Sequence, residues 1–215
     1  MRWLIRSALF FVTVALALGV YNFLSFEAAR PLVGEAGSVQ VQGRRVAYSL
    51  SGQGPTVVML ASAGRSASDF NELIAELSAA GYRSLAIEAP GVGESDPISD
   101  GEVSLHDLAA NVAGVLDTVG PDSEIRVFVL GHAFGNRVAR AFARNFPERV
   151  HATLLLAAGG RVPPEIDIEK AFATIFAAGL PDSVRIPVIQ SAFFAGDNPA
   201  PDYWKNGWYL STLLV

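Results

Sequence analysis

The segment at residues 131–135 has the sequence Gly-His-Ala-Phe-Gly, and it constrains the fold of this chain more than any other segment. A β-rich apolar run at residues 125–130 precedes it, and residues 136–145 have a helical pattern. A strand that gives way to a helix within five residues must turn sharply, and glycine tolerates the close backbone approach that such a turn requires. The segment therefore predicts a strand, a tight turn and a helix in direct succession.

The rest of the chain between residues 38 and 160 alternates strand-like and helix-like segments. Short β-branched or apolar runs predict strands at 39–42, 45–50, 56–60, 84–87, 125–130 and 153–157. The first two strands are predicted to form a hairpin around Gly43 and Arg44. One-sided apolar patterns predict helices at 69–80, 104–119 and 136–145. A hairpin followed by repeated strand–helix units predicts an α/β fold, with a mostly parallel central sheet and helices on both faces.

The N-terminus carries an uncharged stretch, residues 7–26, preceded by Arg2 and Arg6. Its length is sufficient to span a bilayer, and the basic flank places the N-terminus in the cytoplasm. A cleaved signal peptide is the close alternative, with a small-residue cleavage site at residues 15–17. We therefore expect residues 1–27 to be a membrane anchor or a signal peptide, and the remainder to be membrane-anchored or exported, outside the cytoplasm.

Composition excludes several classes of function. The chain contains no cysteine, which excludes disulfides, thiolate zinc sites and a cysteine nucleophile. Its formal net charge is −5, and no basic cluster is present, so nucleic acid is not an expected partner. We predict neither a metal nor a cofactor.

Four further segments resemble the α/β-hydrolase fold family, in the family's order and at similar spacing. The first is the hairpin that leads into residues 52–55, and the second is the loop at 61–65, which lies in the place of the family's H-G-x-G motif. Residues 88–95 are similar to the family's D-x-[RP]-G-x-G-x-S segment. Residues 146–150 are similar to the end of the family's elbow helix. The resemblance implies the α/β-hydrolase fold with residues 38–160 as its core. It also identifies residues 131–135 as a nucleophile elbow of the G-x-S-x-G type.

The resemblance places Gly131, His132 and Gly135 in the frame of the elbow and Ala133 at the position of the nucleophilic serine. A methyl group cannot attack a carbonyl carbon. The oxyanion-hole donors implied by the resemblance are the backbone N–H groups of Ala63 and Phe134, which a side-chain replacement need not remove. The loop also departs from the family pattern, since Ala61 stands for its histidine and Ser62 for its first glycine.

The catalytic acid and base of the family have no clear counterparts. Among the three histidines, we expect His132 to have a packing role. We expect His106, and His151 just before a strand, to be surface residues or polar residues with satisfied hydrogen bonds. One candidate for the acid is Asp197, if residues 186–190 form a seventh strand. The alternative, which we favour, places Asp197 in a turn of a helical cap.

Residues 161–215 have a different pattern, with several prolines, a helical segment at 165–178 and clustered aromatic residues. We predict a helical cap or lid with an incomplete C-terminus, so that the chain resembles a fragment that ends before the last two strands. The strand at 153–157 is then an apolar sheet edge. Candidate substrate-binding residues are Phe193, Phe194 and Trp204, together with Arg65, for which a surface position is the favoured alternative.

The function implied by the resemblance is hydrolysis of a small, apolar or ester-like molecule, and Ala133 puts catalysis by this chain in question. The alternative is a non-catalytic, membrane-anchored protein that binds such a ligand; a third possibility is an interaction domain. The expected partners are therefore the small molecule and, through residues 7–26, the membrane.

Overall fold

The computed structural model describes residues 2–98, 103–120, 126–159, 167–177, 179–210 and 212. For residues 2–8, 18 and 22–24 it describes the helical backbone only. The predicted strand residue Ile125 and the start of the predicted helix at 165–178 lie outside the described residues. The chain divides into two compact units. The first comprises Met1–Ala29 and Pro164–Trp208, and the second comprises Arg30–Pro163 and Tyr209–Val215.

The second unit is built on a six-stranded sheet with the strand order β1-β2-β4-β3-β5-β6. The strands are β1 (Glu35–Val41), β2 (Arg44–Ser51), β3 (Thr56–Leu60), β4 (Arg83–Ile87), β5 (Val127–His132) and β6 (Val150–Leu156). β1, β2 and β4 pair antiparallel, whereas β4, β3, β5 and β6 pair parallel. Each predicted strand exists, and the prediction of a mostly parallel sheet is confirmed.

Helices cover both faces of this sheet, as predicted. The helices of the second unit are α2 (Asn71–Ala79), α3 (Leu105–Val119) and α4 (Gly135–Asn145), and a 3-10 helix at Ala67–Phe70 precedes α2. Val58 and Leu60 of β3 belong to the core under α3 and α4, whereas Val57 and Met59 belong to the core under α2. All five residues of β3 are buried because alternate side chains enter opposite cores.

The boundaries of these helices follow from local chemistry. Ser104 caps α3 by accepting from the Asp107 N–H, and the Asp107 carboxylate accepts from the Ser104 N–H in return, which forms a capping box. The helix predicted at 69–80 begins instead at Asn71, because the preceding turn is a 3-10 helix capped by Ser66. Helix α4 buries Val138, Ala141 and Phe142 against the sheet, as predicted.

Strand β6 lies at the edge of the described sheet and is largely exposed. It pairs with β5 on one side, and Leu154, Leu155 and Leu156 remain 40%, 39% and 40% exposed. Because neighbouring side chains on a strand point to opposite faces, apolar surface is exposed on both faces of β6. The prediction of an apolar sheet edge is confirmed, and the strand extends from Val150 rather than from Thr153.

The first unit is helical and rich in aromatic contacts. Its helices are α1 (Arg2–Glu27), α5 (Ile168–Ile175) and α6 (Asp182–Phe193), with a 3-10 helix at Asp202–Lys205. Residues 186–190 lie in α6, so their interpretation as a seventh strand is wrong and the helical interpretation is correct. Arg185 and Ile189 are buried four residues apart on α6, and this tertiary packing outweighs the helix-breaking effect of Pro187.

We predict that the exposed edge of β6 drives self-association of the detergent-solubilised chain. Leu155→Lys should lower the apparent mass in sedimentation velocity, because a lysine on an open edge opposes pairing of two strands. Thr118→Lys, at an exposed site on α3, is the matched control and should leave the mass unchanged. A native chain that sediments as a monomer would contradict the prediction.

Candidate functional site

The turn between β5 and α4 has the geometry of a nucleophile elbow. Strand β5 ends at His132 and α4 begins at Gly135, so only two residues separate them. Ala133 has φ +49°, in the left-handed region that residues with a Cβ adopt at a cost of about 1 kcal/mol. The sharp turn predicted from the sequence is therefore present, and a methyl group stands at its tip.

Two glycines make this turn possible through close backbone contacts. A Cβ added to Gly131 would collide with the backbone of Gly135, and one added to Gly135 would collide with the carbonyl oxygen of Leu60. The start of α4 therefore packs directly on the end of β3. Only glycine at both positions allows this approach.

Hydrogen bonds fix the elbow to the end of β6. The Ala133 N–H donates to the Leu156 carbonyl oxygen over 3.0 Å, and Asn136 Nδ2 donates to the same oxygen over 2.7 Å. The amide oxygen Oδ1 of Asn136 is buried and accepts no hydrogen bond from the described residues. The position of Ala133 is thus set by β6 as well as by β5.

The two backbone donors implied by the family resemblance come from loops that leave the same edge of the sheet. Leu60 and Gly131 are register partners in parallel strands, so the loop with Ala63 and the turn with Phe134 emerge next to each other. Neither the Ala63 N–H nor the Phe134 N–H has an acceptor among the described residues. Unengaged N–H groups at the carboxyl ends of parallel strands are suited to bind an oxygen acceptor.

Arg65 is buried rather than at the surface, so the favoured surface position is wrong. Its side chain is 3% exposed, and its guanidinium binds Asp69 through Nε–Oδ2 and Nη2–Oδ1 contacts of 2.8 and 2.7 Å. Both residues belong to the segment after β3, where the 3-10 helix brings them onto the same side. The charge of Arg65 is thus partly neutralised within this segment, and its role in substrate binding stays a prediction.

A second buried carboxylate, Glu88, joins the loop after β3 to the loop after β4. Glu88 accepts hydrogen bonds from Ser66 Oγ over 2.6 Å and from the Ala67 N–H over 2.9 Å. Burial raises the pKa of Glu88 above its ordinary value, although these two hydrogen bonds oppose the shift. Ser95 Oγ in turn donates to the Glu88 carbonyl oxygen and accepts from the Ala47 N–H. The family-like segment at residues 88–95 therefore holds the loop that carries Ala63.

The histidines are engaged in packing or in surface contacts. His132 packs edge-on against Phe70, with ring centroids 6.4 Å apart, and burial lowers its pKa, so its imidazole is neutral near pH 7. His106 pairs with Asn145 at an exposed site. His151 lies within β6, not before it, and its ring contacts Phe128 at 4.6 Å. The packing role of His132 agrees with the prediction.

The three aromatic residues predicted to bind substrate cluster in the first unit. Phe193 contacts Trp204 with centroids 5.2 Å apart, and Phe194 contacts Trp204 at 4.8 Å. Trp204 and Trp208 are buried, so much of this cluster forms the core of that unit. Their contact with a substrate stays a prediction. Asp197 lies in an exposed turn after α6, in agreement with the favoured alternative. Within the described residues, no group of three metal-binding side chains exists.

Sequence inspection missed the polar contacts that shape the loop after β3. The contacts of Ser66 with Glu88 and of Arg65 with Asp69 join residues whose burial no local pattern indicates. One signal was available, namely an acidic residue at the start of the family-like segment 88–95. A charged residue directly after an apolar strand is a candidate for a buried partner in the neighbouring loop.

The sheet order, the elbow and the loops around it define an α/β-hydrolase fold. A family model described as serine aminopeptidase, S33 matches residues 53–192, and the chain belongs to this family of α/β hydrolases. A 2-hydroxy-6-oxononadienedioate/2-hydroxy-6-oxononatrienedioate hydrolase of Cupriavidus pinatubonensis is 42% identical over 115 residues, which cover 52% of this chain and 38% of that protein. The chain spans less than half the length of the curated relatives it matches.

Solved structures show the same fold. A putative hydrolase from Bacillus subtilis superimposes with a TM-score of 0.68 at 19% identity, covering 87% of this chain and 65% of that one. A probable hydrolytic enzyme from Pseudomonas aeruginosa gives a TM-score of 0.67 at 21% identity, covering 85% and 62%. At these identities the likeness concerns the fold.

We predict that Ala133→Gly stabilises the second unit by about 0.5–1 kcal/mol, because glycine adopts a left-handed conformation without the Cβ penalty. Urea unfolding followed by circular dichroism measures the change. The matched control is Ala75→Gly, at an exposed position inside α2, which should cost about 1 kcal/mol. Equal destabilisation by both substitutions would show that Ala133 is not left-handed.

We predict a characteristic pH dependence for Glu88→Gln. The native pKa of Glu88 is raised above its ordinary value of 4.5, so the folded chain binds more protons than the unfolded chain above that pH. The free energy of unfolding of the native chain should therefore fall, relative to that of Glu88→Gln, as pH rises above about 4.5. Glu76→Gln, at an exposed site on α2, is the control. A constant difference across this pH range would refute a buried, proton-retaining Glu88.

Proposed function

We propose that the protein is a membrane-anchored member of the α/β-hydrolase family that binds a small carbonyl compound at the elbow, without forming a serine acyl-enzyme. The observation that carries this proposal is Ala133, which occupies the left-handed tip of the elbow with a methyl group. A methyl group has no proton to give up and no lone pair with which to attack. The scaffold for holding an acyl group is thus retained, and the family's nucleophile is not.

The backbone supports binding of a carbonyl oxygen. The N–H groups of Ala63 and Phe134 belong to adjacent loops and have no acceptor among the described residues. Two N–H donors that converge on one point bind a carbonyl oxygen, and they bind it more strongly as negative charge develops on it. Because these donors are main-chain groups, they do not depend on the identity of the residue at position 133.

The names of the relatives indicate the class of ligand. The Cupriavidus relative and one from Paraburkholderia phymatum, 38% identical over 126 residues, are named as hydrolases of 2-hydroxy-6-oxononadienedioate and the corresponding trienedioate. Those names describe compounds with a ketone carbonyl and two carboxylate ends. They favour a compound with a keto or ester-like carbonyl group as the ligand of this chain.

Membrane anchoring rests on α1. Its Leu9–Glu27 portion has a mean hydropathy of 2.0, is largely exposed and is long and apolar enough to cross a bilayer. A signal sequence has the same length and composition. The end of α1 is built into the first unit, since the Phe26 carbonyl oxygen accepts hydrogen bonds from the N–H groups of Gly207 and Trp208. A helix whose end belongs to a folded unit favours a retained anchor.

Hydrolysis without serine is the second candidate, and the names of the relatives favour it. Such a reaction needs a general base that reaches water or substrate at the elbow. His132 lies within the elbow itself, but its ring packs against Phe70. In the described part of the chain, His106 and His151 contact Asn145 and Phe128 instead. Binding without turnover therefore fits these residues better.

The test is proton NMR of the detergent-solubilised chain with δ-valerolactone, which reports binding and turnover in the same sample. We expect saturation transfer from the protein to the lactone, and no 5-hydroxyvalerate beyond the buffer rate. Ala133→Ser should give the same result, because a hydroxyl group without a base remains a weak nucleophile. Hydroxyvalerate formed by either protein would contradict the proposal.

A pair of variants at position 63 identifies the binding site. Ala63→Pro removes the backbone N–H and should abolish saturation transfer, whereas Ala63→Gly retains the N–H and should preserve it. Cooperative thermal unfolding of both variants confirms that they fold. Equal transfer in the two variants would place the lactone elsewhere.

A further inference from the structure

We propose that the region around the start of α6, with Leu180 just before the helix and Val184 in its first turn, lies in the headgroup region of the bilayer that α1 enters. This inference rests on the proposed anchoring of α1. The occupant of the surface is a phospholipid bilayer, which contacts the exposed apolar side chains of Leu180 and Val184.

The end of α1 is fixed within the first unit by backbone hydrogen bonds. The Phe26 carbonyl oxygen accepts from the Gly207 N–H over 2.7 Å and from the Trp208 N–H over 3.2 Å. The Phe26 side chain is buried, and the Arg185 guanidinium lies over its ring, 4.6 Å from the centroid. The point at which the apolar helix ends is therefore joined to the rest of the unit by defined contacts.

Arg185 links this point to the other helices of the unit. Its Nε donates to the Ile175 carbonyl oxygen over 3.0 Å, and its Nη2 donates to the Lys205 carbonyl oxygen over 2.9 Å. Ile175 is the last residue of α5, and Lys205 is the last residue of the 3-10 helix. The buried side chain of Arg185 thus fixes the position of α6 relative to the end of α1.

Leu180 and the end of α1 line the same cleft. The cleft has a volume of about 380 Å³, and its lining includes Ser25, Phe26, Leu180 and Arg185. Leu180, just before α6, is 39% exposed, and Val184, in the first turn of α6, is 44% exposed. Because the apolar stretch of α1 ends near Phe26, side chains beside Phe26 lie at the level of the membrane surface. Exposed apolar side chains at that level are stabilised by lipid.

Charge in this region favours a zwitterionic lipid surface. Asp182, between the two apolar residues, pairs with Arg185 at 3.4 Å, and Lys205 pairs with Asp202 at 2.9 Å. Each cation is thus matched by an acidic group on its own element. Attraction to anionic headgroups needs a cluster of basic residues, whereas apolar insertion does not. We therefore expect the contact to form on phosphatidylcholine alone.

The absence of cysteine from the chain makes the test direct, because one introduced cysteine is the only thiol to which a fluorescent label attaches. Single-cysteine variants Leu180→Cys and Val184→Cys are labelled in the full chain and reconstituted into phosphatidylcholine vesicles. A nitroxide attached to the lipid headgroup quenches nearby labels. Asp197→Cys, in an exposed turn beyond the far end of α6, is the matched control. We expect severalfold stronger quenching at positions 180 and 184 than at position 197.

A label on α1 separates this inference from the anchoring on which it depends. Leu16→Cys, at an exposed position of α1, should be quenched by a nitroxide deep in the acyl chain. If position 16 is quenched but positions 180 and 184 match position 197, the headgroup contact is overturned and the anchor stands. If position 16 is not quenched, the anchor fails, and the inference fails with it.

Discussion

The close packing of the turn after β5 on the end of β3 determines the geometry of the elbow and of the loops beside it. Gly135 approaches the Leu60 carbonyl oxygen so closely that no Cβ fits, and Gly131 is packed as tightly against the start of α4. The left-handed Ala133 follows from this geometry, since the chain has only two residues in which to reverse from strand to helix. The same packing places the loop after β3 beside the elbow, and it directs the two candidate N–H donors to the same edge of the sheet.

The polar contacts of the loops around the elbow maintain this arrangement. Glu88 holds the loop after β3 through Ser66 and the Ala67 N–H, and Arg65 is bound to Asp69 within that loop. Such buried groups stabilise a fold when each is satisfied by a partner. These contacts hold the loop after β3 and do not involve the side chain at position 133.

The sheet could be predicted from the sequence because its signals are local. Strand β3 is an unbroken β-branched and apolar run, and α3 has both a serine cap and an apolar face. The burial of Arg65 could not be predicted, because it depends on Asp69 and on a 3-10 helix that no apolar pattern marks. Residues 186–190 illustrate a different limit. A short apolar run with a proline fits a strand or a helix equally, and contacts distant in sequence, such as that of Arg185 with the Lys205 carbonyl, select the helix.

The proposed binding of a carbonyl group at the elbow can be tested through the ¹³C chemical shift of the carbonyl carbon of labelled δ-valerolactone bound to the native chain. Two N–H donors withdraw electron density from a carbonyl group, so we predict a downfield shift of the signal of the bound lactone. The carbon should remain a lactone carbonyl. A bound carbonyl signal at the position of the free lactone would show that no such donors engage it. Replacement of the signal by that of a carboxylate would show turnover. Either result would contradict the proposal that the elbow binds a carbonyl group without serine chemistry.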